Sequence, residues 1–235
     1  MANRHQILLL LSSFLLLVAV RTQAQDSQPN ITGYACSSAP SPCKTYAFYK
    51  AQAPDFLNLR NISDLFGAVQ SSHIANASGL PADTSSIADG QPLLVPITCG
   101  CMKNYSQANI SYTIVKDDTF YGVSTRKFEN LTTYQAVEVA NPTLVPTDIQ
   151  IGSLVTFPIR CQCPSKAQLG SGTKMLITYV VEKGDSLSSI SKKFGAEQQN
   201  LKSQNGKNST LDPYSTILVP LSKLPKLAQV LHHPH

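Results

Sequence analysis

Two adjacent carboxylates, Asp117 and Asp118, are the pair in this chain whose chemistry invites an acid–base reading. Neighbouring side chains diverge in direction, whereas a general acid and base must close on one substrate from chosen positions. Asp185 repeats Asp118 in a second copy of the surrounding phrase, which marks it as part of a repeat and not of a catalytic centre. His73 is the one histidine between the N-terminal leader and the tail. No Gly-x-Ser-x-Gly, His-Glu-x-x-His or Cys/His constellation surrounds it. The residues therefore predict no enzyme, no metal and no cofactor.

Cysteine chemistry is richer. Cys36, Cys43, Cys99, Cys101, Cys161 and Cys163 form an even set, with two Cys-x-Cys pairs. They follow an N-terminal stretch with Arg4, an apolar run from Ile7 to Val20 and Thr22-Gln23-Ala24, the pattern of a secretory signal peptide over residues 1–24. In an exported chain disulfides are the expected state, and no histidine sits at zinc-ligand spacing. Closure within a Cys-x-Cys is strained, yet several pairings remain open from the residues alone. Seven Asn-x-Ser/Thr sequons, at Asn30, Asn61, Asn76, Asn104, Asn109, Asn130 and Asn208, predict a glycosylated surface. Net charge is +5, and +3 without the leader's Arg4 and Arg21, too mild to indicate a nucleic-acid partner.

The elements that hold these residues repeat three times. Leu94-Val95-Pro96-Ile97, Thr156-Phe157-Pro158-Ile159 and Leu218-Val219-Pro220-Leu221 are short β-prone runs with a proline near the end, which indicates edge strands. The first two run into Cys-x-Cys; the third has no following unit to be tied to. Ahead of them, Tyr112-Thr113-Ile114-Val115 and Tyr179-Val180-Val181 read as strands. Asp118-Thr119 and Asp185-Ser186 then offer N-caps to helices with Phe120/Val123 or Leu187/Ile190 on one face. A second short helix is marked by Val137 with Asn141, Leu201 with Asn205, and Ile74 with Ser78. The fold class is α+β: three small βααβ units packed together and tied by three disulfides, each near the lower size limit for folding alone. The boundaries are a leader over 25–43, units over 44–98, 111–160 and 177–222, and a stem or tail over 223–235. "CMKNYSQANI" and "CPSKAQLGSGTK" read as exposed connections.

This pattern resembles the LysM module, and three modules joined by Cys-x-Cys pairs resemble the ectodomain of plant LysM receptor-like kinases. "AQAPDFLNLRNISDLFG", "LLVPITCGC", "CPSKAQL", "LITYVV" and "KFGA" are most similar to the Nod-factor receptor subfamily. The resemblance implies the pairs Cys36–Cys101, Cys43–Cys163 and Cys99–Cys161. It also implies a site on the extracellular face of the plasma membrane or a secreted chain, with a second LysM receptor kinase as partner. The implied ligand is a lipochitooligosaccharide or a plain chitin oligosaccharide. In the middle module the groove would lie between Asp117, Asp118, Thr119, Phe120 and Tyr121 and the loop Asn141, Pro142, Thr143, Leu144, Val145, Pro146, Thr147 and Ile149. Leu144 and Ile151 fall where lipid-sensing members place apolar residues under the acyl chain. The bland alternatives stay open: Asp118 and Thr119 as helix caps, Phe120 as core, and Leu144 and Ile151 as module packing. A wall-targeting module of a glycan hydrolase and a structural partner that binds no sugar are the rivals from other classes.

Overall fold

The computed structural model describes residues 35–36, 41–84, 86–102, 104–206 and 211–228. The signal segment, most of the leader, Asn30, Asn208 and the end of the tail lie outside the described residues.

The first repeat is β1 (Cys43–Lys50), α1 (Leu59–Leu65), α2 (Ser71–Ser78) and β2 (Pro92–Met102). The second is β3 (Tyr105–Thr113), a helix that starts as α3 (Phe120–Gly122) and continues as a π-helical turn (Val123–Lys127), then α4 (Tyr134–Ala140) and β4 (Leu154–Arg160). After α5 (Lys166–Gly170), the third comprises β5 (Met175–Val180), α6 (Leu187–Phe194), α7 (Gln198–Asn205) and β6 (Thr216–Leu221). Each repeat pairs its two strands antiparallel, and the six strands run in the order β4-β3-β2-β1-β5-β6. A β2–β3 hairpin joins the first two repeats, and a parallel contact between Ala47 of β1 and Thr178 of β5 joins the first and third.

Two expected boundaries move. The segment "CMKNYSQANI" is not a connection: β2 runs on through Cys101 to Met102, and β3 starts at Tyr105, not at residue 111. Ser106, Ala108 and Ile110 are buried while Gln107 and Asn109 face outward or to the rim, so the polar composition hides a strand's alternation. The other connection contains α5, whose N-cap Ser165 forms a capping box with Gln168.

Two of the three proline-bearing runs are edge strands, as expected, but the run with Pro96 is the interior strand β2. Pro158 and Pro220 lie in the outermost strands. Pro96 pairs with Tyr46 on one side, while β3 meets β2 only from Gly100 onward. A missing N–H thus leaves no ladder bond unmade.

The disulfides are Cys36–Cys101, Cys43–Cys163 and Cys99–Cys161. Cys43 and Cys99 sit opposite each other in β1 and β2, so both bonds to the 161–163 pair leave from one place and draw the end of β4 onto it. Successive residues of β1 split the core between repeats, because strand side chains alternate. Tyr49 packs on Phe66, and the rings continue through Phe128 to Phe157 at centroid spacings of 5.3, 5.5 and 5.3 Å. Phe48 faces the other way and packs on Tyr179 and Phe194 of the third repeat.

Candidate functional site

The candidate groove is built from two loops of the second repeat. Backbone bonds from Ile114 N–H to Ser153 C=O (2.9 Å) and from Gly152 N–H to Ile114 C=O (2.8 Å) tie the loop after β3 to the loop before β4. The first loop turns at Val115-Lys116-Asp117-Asp118, closed by the Asp118 N–H on Val115 C=O, with Asp117 at φ 67°. In the third repeat the equivalent left-handed position is Gly184.

Asp118 points into its own module. It accepts the Tyr112 hydroxyl (2.7 Å) and the Val115 N–H (3.0 Å), and Lys127 pairs with its other oxygen at 2.9 Å. Lys127 also donates to the Tyr112 oxygen and lies 4.9 Å over that ring. Burial, and then the neighbouring Asp118 carboxylate, hold the Tyr112 phenol above its ordinary pKa. The third repeat builds the same triad from Tyr179, Asp185 and Lys193. The helix cap is Thr119, whose hydroxyl accepts the Gly122 N–H (2.9 Å). Phe120 is buried at 3% exposure and meets Phe157 edge-on.

Asn141 is also turned inward. Its amide donates to Val137 and Thr156 carbonyls (2.7 and 2.8 Å) and accepts the Thr156 N–H (2.9 Å). Asn205 does the same for Leu218 of β6, and Ser78 accepts the Leu94 N–H of β2. The polar residue at the C-terminal end of each second helix thus fixes the last strand against it. Of the expected ligand residues, Asp118, Phe120 and Asn141 therefore commit their side chains to the module and leave only their backbone to the groove.

The others face out. Asp117, Tyr121, Pro142, Thr143, Val145, Pro146 and Thr147 are exposed, Leu144 and Ile149 pack partly on the core, and Ile151 is 70% exposed. Leu144 and Ile151 thus differ: the first is half packing and the second is wholly surface. Sequence reading missed Val115, Tyr134, Val139 and Leu154, all exposed apolar residues of the same repeat. Leu154 carried a signal, since the sister strands hold Pro92 and Thr216 at its place. Among the described residues no group of three His, Cys, Asp or Glu is placed to hold a metal ion.

Residues 42–102 match the family described as "NFP/LYK LysM1 domain", 105–159 the "NFP LysM2 domain", and 175–221 the "LYK4/5 LysM3 domain". The chain belongs to the plant LysM receptor family. Its three repeats are LysM modules, the non-catalytic ligand-binding part of such proteins. It is 31% identical over 202 residues to "Protein LYK2" of Arabidopsis thaliana, covering 86% of this chain and 28% of that protein. It is 29% identical over 181 residues to "Chitin elicitor receptor kinase 1" of Physcomitrium patens, covering 77% and 28%. The chain thus spans little more than a quarter of each. The fold is that of a solved receptor-like kinase ectodomain at a TM-score of 0.68 and 22% identity, over 79% of this chain and 94% of that one. The disulfides fit the extracellular setting of LysM modules, and no helix among the described residues is long and apolar enough to cross a membrane.

Proposed function

We infer that this ectodomain binds N-acetylglucosamine oligomers through its middle LysM module and prefers those carrying an acyl chain. The carrying observation is where the apolar surface lies. Of ten exposed large hydrophobic residues among the described ones, seven fall within 105–159, which singles out one module of three: Val115, Tyr121, Tyr134, Val139, Val145, Ile151 and Leu154. Exposed apolar residues concentrated on one module, unlike scattered single ones, favour a binding surface. The loop backbone beside them supplies donors and acceptors for acetamido groups, while apolar atoms meet the sugar faces. An acyl chain laid on Ile151 would gain roughly 0.8 kcal/mol per methylene removed from water. Signalling would then pass through a second LysM receptor kinase.

A plain chitin receptor is the second reading, favoured by the relative named "Chitin elicitor receptor kinase 1". Titration of the ectodomain with a lipochitooligosaccharide and its matched chitin oligomer separates the two, repeated with Ile151→Ser. Tighter binding of the acylated ligand, lost in the variant, supports the lipid reading. Equal affinities, unmoved by the substitution, support the chitin reading, and absence of saturable binding to either sinks both.

A further inference from the structure

A second cleft, of about 360 Å³, opens where the three modules meet. Phe48 and Lys50 line it from the first, Glu129 and Asn130 from the second, Val181 and Tyr214 from the third. It falls within the size range of ligand sites, about 300–1,000 Å³. Glu129 accepts the Lys50 N–H (2.8 Å) through one oxygen, and a carboxylate retains capacity for further donors. Tyr214, on the far module, is 66% exposed.

The internal repeat shows that this corner departs from its sister modules twice. After the conserved-in-repeat phenylalanines Phe66, Phe128 and Phe194, the first and third modules place Gly67 and Gly195 in the left-handed conformation, at φ 79° and 67°. The second module puts Glu129 there, at φ 48°, a conformation that disfavours a side chain. Just before the second helix the sister modules carry Val69 and Ala196, which pack on the core. The second carries Thr132, 3% exposed, with a buried hydroxyl that lacks a hydrogen-bond partner. Ser124 and Ser191 share that state, but at matching helix positions of two modules. Thr132 is the exception to its own pattern. What its hydroxyl does complete is the sequon Asn130-Leu131-Thr132. The hydroxyls of other described sequons behave otherwise: Ser63, Ser78 and Ser106 interact within the fold, and Ser111 is exposed.

We propose that Asn130 carries an N-linked glycan whose first N-acetylglucosamine seats in this cleft between Glu129 and Tyr214, tying the second module to the third. In the secretory pathway the Asn130 amide nitrogen displaces the diphosphate of a lipid-linked oligosaccharide from C1. A C–N bond replaces the C–O bond, and one amide proton is released with the diphosphate. The seated sugar offers its acetamido N–H or a hydroxyl to Glu129, its acetyl methyl to the Phe48 and Val181 side of the cleft, and a pyranose face to the Tyr214 ring. This is separate from the chitin groove and stands whichever ligand that groove takes.

The test uses the chain from a glycosylating secretory host and from an oxidising bacterial host. Glycopeptide mass spectrometry reads occupancy of Asn130, and thermal unfolding is followed for wild type, Tyr214→Ala, Thr132→Val and the double variant. Thr132→Val removes the sequon, keeps Asn130 and fills the same volume. The expected result is an occupied Asn130 and a Tm lowered by roughly 2–4 °C by Tyr214→Ala in the glycosylated wild type. That shift should vanish in the bacterial protein and in the Thr132→Val background. An unoccupied Asn130 would overturn the proposal, as would a Tyr214→Ala shift that is absent or is the same with and without the glycan.

Discussion

Lys127 lies 2.9 Å from Asp118 although it sits nine residues after it, whereas the equivalent Lys193 follows Asp185 by eight. The extra residue is absorbed by the π-helical turn Val123–Lys127, in which the Phe128 N–H reaches back to Val123 C=O. An α-helical course would carry a residue inserted here about 100° around the axis and away from the carboxylate. The bulge keeps the triad in register.

Removal of Lys127 therefore strands a carboxylate that is only 6% exposed. Lys127→Met should destabilise the chain by about 2–3 kcal/mol, near the low end for breaking a buried pair. Lys193→Met should cost less, since Lys193 stands 4.0 Å from Asp185 and shares itself with the half-exposed Glu182. Urea unfolding of both variants checks this, and a larger loss for Lys193→Met would contradict the ranking.

Asn141→Ala removes three hydrogen bonds and leaves the Thr156 N–H and two carbonyls without their partner. At about 1 kcal/mol per bond the loss should be roughly 3 kcal/mol, with Asn205→Ala similar and Ser78→Ala near 1. Because Asn141 also sets the start of the groove loop, Asn141→Ala should weaken sugar binding even where the protein remains folded. Unchanged ligand affinity at preserved fold would show that the loop is held by other contacts.

Much of this arrangement was legible in the residues. Pro158 and Pro220 marked the two edge strands, whereas Pro96 falls in the interior β2; the β-branched runs marked the ladders, and the Asn or Ser at the end of each second helix marked the helix end. The inward turn of two residues was not. Asp118 reads locally as a cap next to Thr119, and only the folded chain brings Tyr112 and Lys127 to it from either side. Likewise Asn141 finds Thr156 fifteen residues on. The start of β3 escaped notice because Ser106 and Ala108 are too small and polar to give an audible alternation. The cysteine pairing followed from resemblance, since nothing in local sequence distinguishes Cys99 from Cys101.

Leu144 and Ile151 should separate in folding as they do in exposure. Leu144→Ser removes a side chain that packs partly on the core and should cost about 1–2 kcal/mol. Ile151→Ser should stay within about 0.5 kcal/mol, as surface substitutions do. Chemical denaturation of the two variants reads the difference. Only the Ile151 variant is then a clean probe of acyl binding, and equal losses in both would mean that Ile151 is packed.

Glu129 makes stability depend on pH in a defined direction. Burial comes first among the causes that lift its carboxyl to about 7, opposed by the Lys50 N–H and side chain and assisted by Glu182 and Asp89. A carboxyl whose pKa is raised on folding holds its proton more tightly in the folded state, so stability is highest below the unfolded value of 4.5 and falls as pH rises toward 7. The full span corresponds to about 3 kcal/mol. Glu129→Gln keeps an acceptor for the Lys50 N–H and cannot ionise. It should flatten that slope and stabilise the chain at pH 8 while changing little at pH 4, as followed by thermal unfolding across pH. A variant that keeps the wild-type slope would assign the pH dependence to another group.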